Sequence, residues 1–181
     1  MSPKCLARLA HPLFEKEVLS MEIRKAKREE LDRIMEIYDD ARRYMREHGN
    51  AEQWAGGYPS REVIESDMAN EFCHVCEEEG EILGVFCYFV GEDPTYRVIE
   101  DGAWLNDRPY GVIHRIAVSA HRRGVASECF AWCFSACGNL KIDTHHDNIP
   151  MQRSLEKNGF ARCGIIYLAN GDPRIAYQKS R

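Results

Sequence analysis

The run Gly111-Val112-Ile113-His114-Arg115-Ile116-Ala117-Val118 constrains this chain more than any other segment. It is apolar enough to be a buried strand. After a short polar turn, Gly124 opens a helical run that carries Cys129, Phe130 and Cys133 and stops at Gly138. A buried strand feeding such a helix must lay it back across a sheet. The junction reads Val118-Ser119-Ala120-His121-Arg122-Arg123-Gly124-Val125-Ala126-Ser127. Gly124 permits close backbone approach, and Ala126 and Ser127 are small. Backbone N–H groups of the first turn can converge on an anion there, helped by the helix dipole and the arginines. The plainer reading is a basic helix start whose arginines are solvated.

The rest of the pattern agrees with a mixed sheet. Residues 22–26 alternate as a short strand. Leu31, Ile34, Tyr38, Ala41 and Met45 follow helical spacing, and Gly49-Asn50 stops that helix. A loop rich in breakers follows at Trp54 to Pro59, and Ser60 caps a second helix reaching about Asn70. Residues 72–78 and 82–90 read as a hairpin turned at Glu79-Gly80. Gly91 to Arg108 is loop. Leu140 to Thr144 is a strand, Asn148 caps a helix ending before Gly159, and residues 160–168 and 175–178 are two final strands joined across Asn170-Gly171-Asp172. The expected fold is α/β, a mixed sheet of about seven strands flanked by about four helices.

Length and composition bound the alternatives. At 181 residues the chain suits one domain, here 21–181, with residues 1–20 as an N-terminal extension. The hydrophobic fraction of 44% and charged fraction of 29% exclude a disordered or low-complexity chain. A net charge of −5 argues against a nucleic-acid partner. No apolar run is long enough to span a membrane, and Arg8 and His11 interrupt the only apolar stretch near the start, so no membrane partner and no secretory signal are expected.

Eight cysteines raise the question of metal and redox state. Cys129, Cys133 and Cys137 repeat along one helix face, where free cysteine packs as a small hydrophobe. Cys73-His74-Val75-Cys76 has the spacing of half a zinc site, but lacks a second half, and a strand would point its two cysteines to opposite faces. No metal is expected. With no secretion signal and no disulfide framework, a reducing cytoplasm is the expected location.

Two segments carry a family resemblance. His121-Arg122-Arg123-Gly124-Val125-Ala126 resembles the acetyl-CoA loop of the GNAT acetyltransferase superfamily, Gln/Arg-x-x-Gly-x-Gly/Ala, with His121 departing from the first position. Asn148-Ile149-Pro150-Met151-Gln152-Arg153-Ser154-Leu155-Glu156-Lys157-Asn158-Gly159-Phe160 is similar to the late helix of that superfamily. The two occur in the right order, each at a strand–helix junction, and the likeness covers about residues 22–181. The resemblance implies a GNAT acyl-CoA N-acyltransferase fold. Its two central parallel strands, about 111–118 and 139–145, splay apart to admit acetyl-CoA. It implies that the backbone of Ile116, Ala117 and Val118 meets the pantetheine arm. His121 to Ser127 (Arg122, Arg123, Gly124, Val125 and Ala126 between them) would hold the pyrophosphate, and Asn148 would lie beside the arm, unless it is only a helix cap.

The implied reaction is acetyl transfer from acetyl-CoA to a primary amine of a small molecule or peptide, by direct attack in a ternary complex. An alkyl ammonium must first lose a proton, and a carboxylate on the strand before the cofactor loop often takes it in this superfamily. Here that strand carries His114 instead, on the face of Ile116 and Val118, because strand side chains alternate. Imidazole suits a base near neutrality, and a hydrogen-bonded core histidine is the alternative. The tyrosine acid of the family's late helix is replaced by Leu155. Tyr167, on the next strand, is the candidate substitute, or else the thiolate leaves unaided. Asp143 and His145 either orient the acceptor or tie down a strand end. Gln53, Trp54 and Tyr58 lie where the superfamily assembles its acceptor site. Tyr96 and Trp104, on the loop before the cofactor strand, either wall that site or cap the core.

A non-catalytic acyl-CoA sensor or scaffold of the same fold is the alternative function, and a Cys/His metal-binding interaction protein a third. The C-terminal strands offer an edge through which a homodimer can form.

Overall fold

The computed structural model of the protein describes residues 21–119 and 123–181. In chain order the elements are β1 (Glu22–Lys25), α1 (Leu31–Glu47), α2 (Arg61–Ala69), β2 (Cys73–Glu78), β3 (Glu81–Val90), β4 (Gly111–Val118), α3 (Val125–Cys137), β5 (Asn139–Thr144), α4 (Ile149–Lys157), β6 (Ala161–Tyr167) and β7 (Pro173–Ser180). The strands form one seven-stranded sheet in the order β1-β2-β3-β4-β5-β7-β6. All neighbours are antiparallel except β4 and β5. The α/β mixed sheet with four α-helices is the expected one, and β7 runs longer than its apolar centre suggests.

The helix boundaries follow local chemistry. Ser60 Oγ accepts from Val63 N at the start of α2, and Asn148 Oδ1 accepts from Met151 N at the start of α4. Gly138 ends α3 in a left-handed conformation, its N–H donating to the Phe134 carbonyl.

Two apolar clusters cover the faces of the sheet. Ile113, Phe130, Cys133, Leu140, Ile142 and Leu155 pack with α3 and α4. Ile34, Tyr38, Ile64, Val75, Val85 and Ala117 pack with α1 and α2. Cys76 belongs to the first cluster and Cys73 to the second, so the half zinc motif is divided between opposite faces. A third cluster, with Tyr96, Val112 and Ile166, lies under the loop before β4.

One irregularity matters for function. Cys87 pairs with His114 and Val85 with Ala117, so three steps on β4 oppose two on β3. This is a β-bulge, and Arg115 within it has a φ of 53°. The extra residue breaks the alternation. His114 therefore aligns with Ala117, and Ile116 turns with Ile113 toward the α3 cluster. The expected sharing of a face by His114, Ile116 and Val118 is corrected accordingly.

Candidate active site

The site begins where β4 and β5 part. Their parallel pairing is limited to Gly111 with Leu140 and Val112 with Lys141. A Cβ on Gly111 would stand 2.7 Å from the Tyr88 ring, 2.9 Å from the Cys137 sulfur and 3.1 Å from Leu140 Cδ2, so a side chain there would have to displace its packed neighbours. Beyond it, β4 follows β3 and β5 follows β7, which opens a cleft between them.

At the far end of β4 stands the start of α3. Gly124 is its N-cap with a φ of 90°, no side chain among the described residues caps it, and a Cβ there would meet nothing within 4 Å. Among the described residues the first-turn N–H groups thus have no side-chain acceptor at the cap, the arrangement that receives an anion. Arg123 is exposed, Val125 buried and Ala126 half-buried. Ser127 Oγ is held by Asn158 Nδ2 at 3.0 Å. His121 and Arg122 lie outside the described residues. Ala117 is buried and Val118 exposed at the strand end, while Ile116 packs against the α3 cluster.

At the base of the cleft lies a polar cluster around His114. Its Nε2 stands 2.6 Å from Asp93 Oδ2. Asp93 also accepts from the Thr95 N–H at 2.8 Å and the Thr95 hydroxyl at 2.5 Å. Burial alone would raise the Asp93 pKa, but the bonds from His114 and Thr95 prevail and hold it down at about 2. An ionised Asp93 keeps the proton on Nε2, which leaves the Nδ1 lone pair free. Nδ1 is 3.9 Å from Asp143 Oδ1, too far for a direct bond. Asp143 Oδ1 accepts from the Tyr96 hydroxyl at 2.7 Å. Tyr96 is 1% exposed, and burial pushes its phenol well above the usual range.

Asp93 is the residue that sequence reasoning missed. Asp93-Pro94-Thr95 carries the signature of an Asx turn, but its approach to His114 depends on how loop 91–110 folds back on β4. Trp104 caps the core, its Nε1 donating to the Tyr96 carbonyl at 2.9 Å, whereas Tyr96 is buried in that core and reaches the polar cluster through its hydroxyl.

Asp143 and His145 part company. Asp143 joins the His114 cluster, whereas His145 is buried at the strand end, its Nδ1 accepting from the Asp147 N–H at 3.3 Å. Burial pushes the His145 pKa below the usual imidazole value. His145, His146 and Asp147 are close enough together to present three ligand atoms to a cation.

Tyr167 is not brought to His114. The sheet order sets β7 and β5 between its strand and β4, and it is 43% exposed. Glu100 beside it raises its pKa. Leu155, fully buried, offers no proton.

The loop between α1 and α2 is tied to both sides of the cleft. Asn148 Nδ2 donates to Gln53 Oε1 at 2.8 Å. Tyr58 OH accepts from Arg115 Nη1 at 3.1 Å, while Arg115 grips both carboxylate oxygens of Asp67 at 2.8 and 2.7 Å. Trp54 packs edge-on against Tyr38, whose hydroxyl donates to the Arg115 carbonyl at 2.8 Å. Gln53, Trp54 and Tyr58 are thereby anchored to the bulge and to the cap of α4.

Comparison with known proteins decides the family. The family model described as "Acetyltransferase (GNAT) family" matches residues 31–160. The chain belongs to the GNAT acetyltransferase family. A GNAT-family acetyltransferase structure from Streptococcus agalactiae is 34% identical, covering 89% of this chain and 95% of its own, with a TM-score of 0.82. A GNAT-family acetyltransferase from Bacillus cereus is 26% identical, covering 90% and 99%, with a TM-score of 0.59. A ribosomal-protein-alanine N-acetyltransferase from Brucella melitensis, 18% identical over 88% and 99% with a TM-score of 0.60, shares the fold. No curated protein matches the chain. Among the described residues of this GNAT chain, no helix is long and apolar enough to cross a membrane.

Proposed function

We propose that this GNAT protein transfers the acetyl group of acetyl-CoA to a primary amine of a small molecule or peptide, by direct attack in a ternary complex. The observation that carries this reading is the carboxylate-paired His114 at the point where β4 leaves β5. Acetyl-CoA supplies an activated thioester. The open cleft and the uncapped start of α3 at Gly124 fit its extended arm and its pyrophosphate. Residues 123–127 and the end of β4 would hold it.

The chain's own part is positioning and proton transfer. An incoming ammonium gives a proton to His114 Nδ1, with Asp143 near enough to steady the positive charge. Asp93 fixes the ring and stabilises the imidazolium that forms; Nδ1 becomes an acceptor again when it gives that proton to solvent, and the second proton, which the nitrogen loses as the amide forms, ends on the departing thiolate. Leu155 leaves no tyrosine acid on α4. A thiol ionises near 8.5, so a thiolate can depart unaided. Seven free cysteines among the described residues favour a reducing compartment such as the cytoplasm.

The test is calorimetric titration with acetyl-CoA, followed in the same preparation by thiol release against a panel of primary amines. Saturable binding with amine-dependent release is expected. Failure of acetyl-CoA to bind would overturn the reading of the cleft, and binding without release to any amine would favour the sensor.

A further inference from the structure

Arg174, near the start of β7, is 6% exposed. Its Nη1 donates to the neighbouring Pro173 carbonyl at 3.0 Å. Asp172 Oδ2 stands 4.0 Å from Nη2, beyond bonding distance, and accepts from Asn170 Nδ2 at 2.8 Å. Nη2 and Nε therefore have no acceptor among the described residues. A guanidinium buried this deeply normally has its donors paired.

His145 adds a second free donor. The register of β5 on β7, Asp143 with Ala176 and Thr144 with Ile175, brings His145 next to Arg174. The Asp147 N–H donates to His145 Nδ1 at 3.3 Å, so the proton of the neutral ring sits on Nε2. Burial, then His146 and Arg174, hold the ring below its usual pKa and keep it neutral near pH 7. Its Nε2–H has no acceptor among the described residues. The unpartnered side-chain atoms that are sealed from solvent there belong to Asn50, Tyr88, Thr144 and Tyr177. The free donors of Arg174 and His145 are not sealed, so an anion can reach them.

The adjoining groups are acceptors. Tyr96 takes Asp143 Oδ1, which leaves Oδ2 unpartnered and unsealed beside the free Nδ1 of His114. By alternation Asp143 and Arg174 share the sheet face on which Ala176 packs with Tyr96. Asp143 and His145 are two residues apart, roughly 6.5 Å along an extended chain. A place for an ammonium thus adjoins a place for a carboxylate, at a spacing that one small molecule can bridge.

We propose that the acetyl acceptor is a free α-amino acid, its ammonium on Asp143 Oδ2 and His114 Nδ1 and its carboxylate on Arg174 and His145 Nε2. This rests on the acetyl-transfer reading and narrows its acceptor to amines that carry a carboxylate beside the nitrogen. The nitrogen bonds to the acetyl carbon as the carbon–sulfur bond breaks. Of the two protons it loses, one goes to His114 Nδ1 and one to the departing thiolate.

The experiment compares each common L-amino acid with its carboxamide, which keeps the amine and lacks the carboxylate. Binding is read by calorimetry on the full chain in the presence of free CoA, and turnover by thiol release from acetyl-CoA. At least one free acid is expected to bind, and to react with a kcat/KM at least about tenfold above its carboxamide, as loss of charge-assisted bonds implies. Arg174→Gln should remove that preference, with the melting temperature as a check on folding. His145→Phe should weaken the preference, and His145→Gln, which keeps an N–H donor, should restore part of it. A purely structural loss would lower acid and amide alike. Binding that favours no free acid would overturn the proposal, as would a preference that survives in both folded Arg174→Gln and folded His145→Phe. Preferential binding of an acid without thiol release would overturn acetyl transfer and leave the carboxylate site standing.

Discussion

Asn148 and Gln53 meet side chain to side chain at 2.8 Å, joining the cap of α4 to the loop between the first two helices. One carbonyl serves two amides, since Asn50 Nδ2 donates to it as well. The loop that faces the cleft is therefore held by the same residue that starts α4, and its position depends on a bond that no local pattern encodes.

Gln53→Met should remove this acceptor while keeping the side-chain volume. A buried amide, Asn50, and a half-buried one, Asn148, lose a partner. The expected destabilisation is about 1–3 kcal/mol, measured by urea unfolding. An unchanged midpoint and slope would mean that solvent replaces Gln53 without cost.

His114→Gln should lower turnover by about 10²–10⁴-fold, the usual contribution of a general base. Acetyl-CoA affinity should change little, because His114 lies at the base of the cleft and Gly124 beyond the end of β4. Steady-state kinetics beside calorimetry separates the two. Full turnover in this variant would remove His114 from the reaction.

Asp93→Asn should cut turnover by at least about tenfold, because a neutral amide neither fixes the Nε2 proton nor stabilises the imidazolium. Its effect on stability depends on pH with a definite sign. The folded-state pKa of Asp93 lies near 2, below its ordinary value of 3.8. Its contribution, on the order of 2 kcal/mol, is present above pH 3.8 and is lost as pH falls toward 2. The wild type should therefore lose its advantage over Asp93→Asn across that interval in urea unfolding. A constant difference between the two proteins from pH 6 to pH 2 would refute the pairing.

Gly124→Asp should abolish measurable acetyl-CoA binding. The carboxylate would occupy the space that is open beside the first turn of α3 and oppose the pyrophosphate, and a left-handed φ costs a side chain roughly 1 kcal/mol. Calorimetry with the folded variant reads the affinity directly. Wild-type affinity would show that the anion binds elsewhere.

The sequence by itself determined the layered α/β architecture and the order of its elements. Those follow from short-range physics: Ser60 and Asn148 cap their own helices, Gly138 stops its helix, and alternation separates Cys73 from Cys76. The glycine turn at Gly124 was legible for the same reason, because backbone approach is set locally. Tertiary structure decided the site. The bulge at Arg115 re-aimed His114 relative to Ile116, since one extra residue in β4 is visible only against the register of β3. Sheet order carried Tyr167 to an outer strand, although it follows α4 closely in the chain. Asp93 reached His114, and Gln53 reached Asn148, only because the sheet and its loops brought distant segments together. Side-chain chemistry can be read one residue at a time, whereas the pairing of an acid with its base is a property of the folded whole.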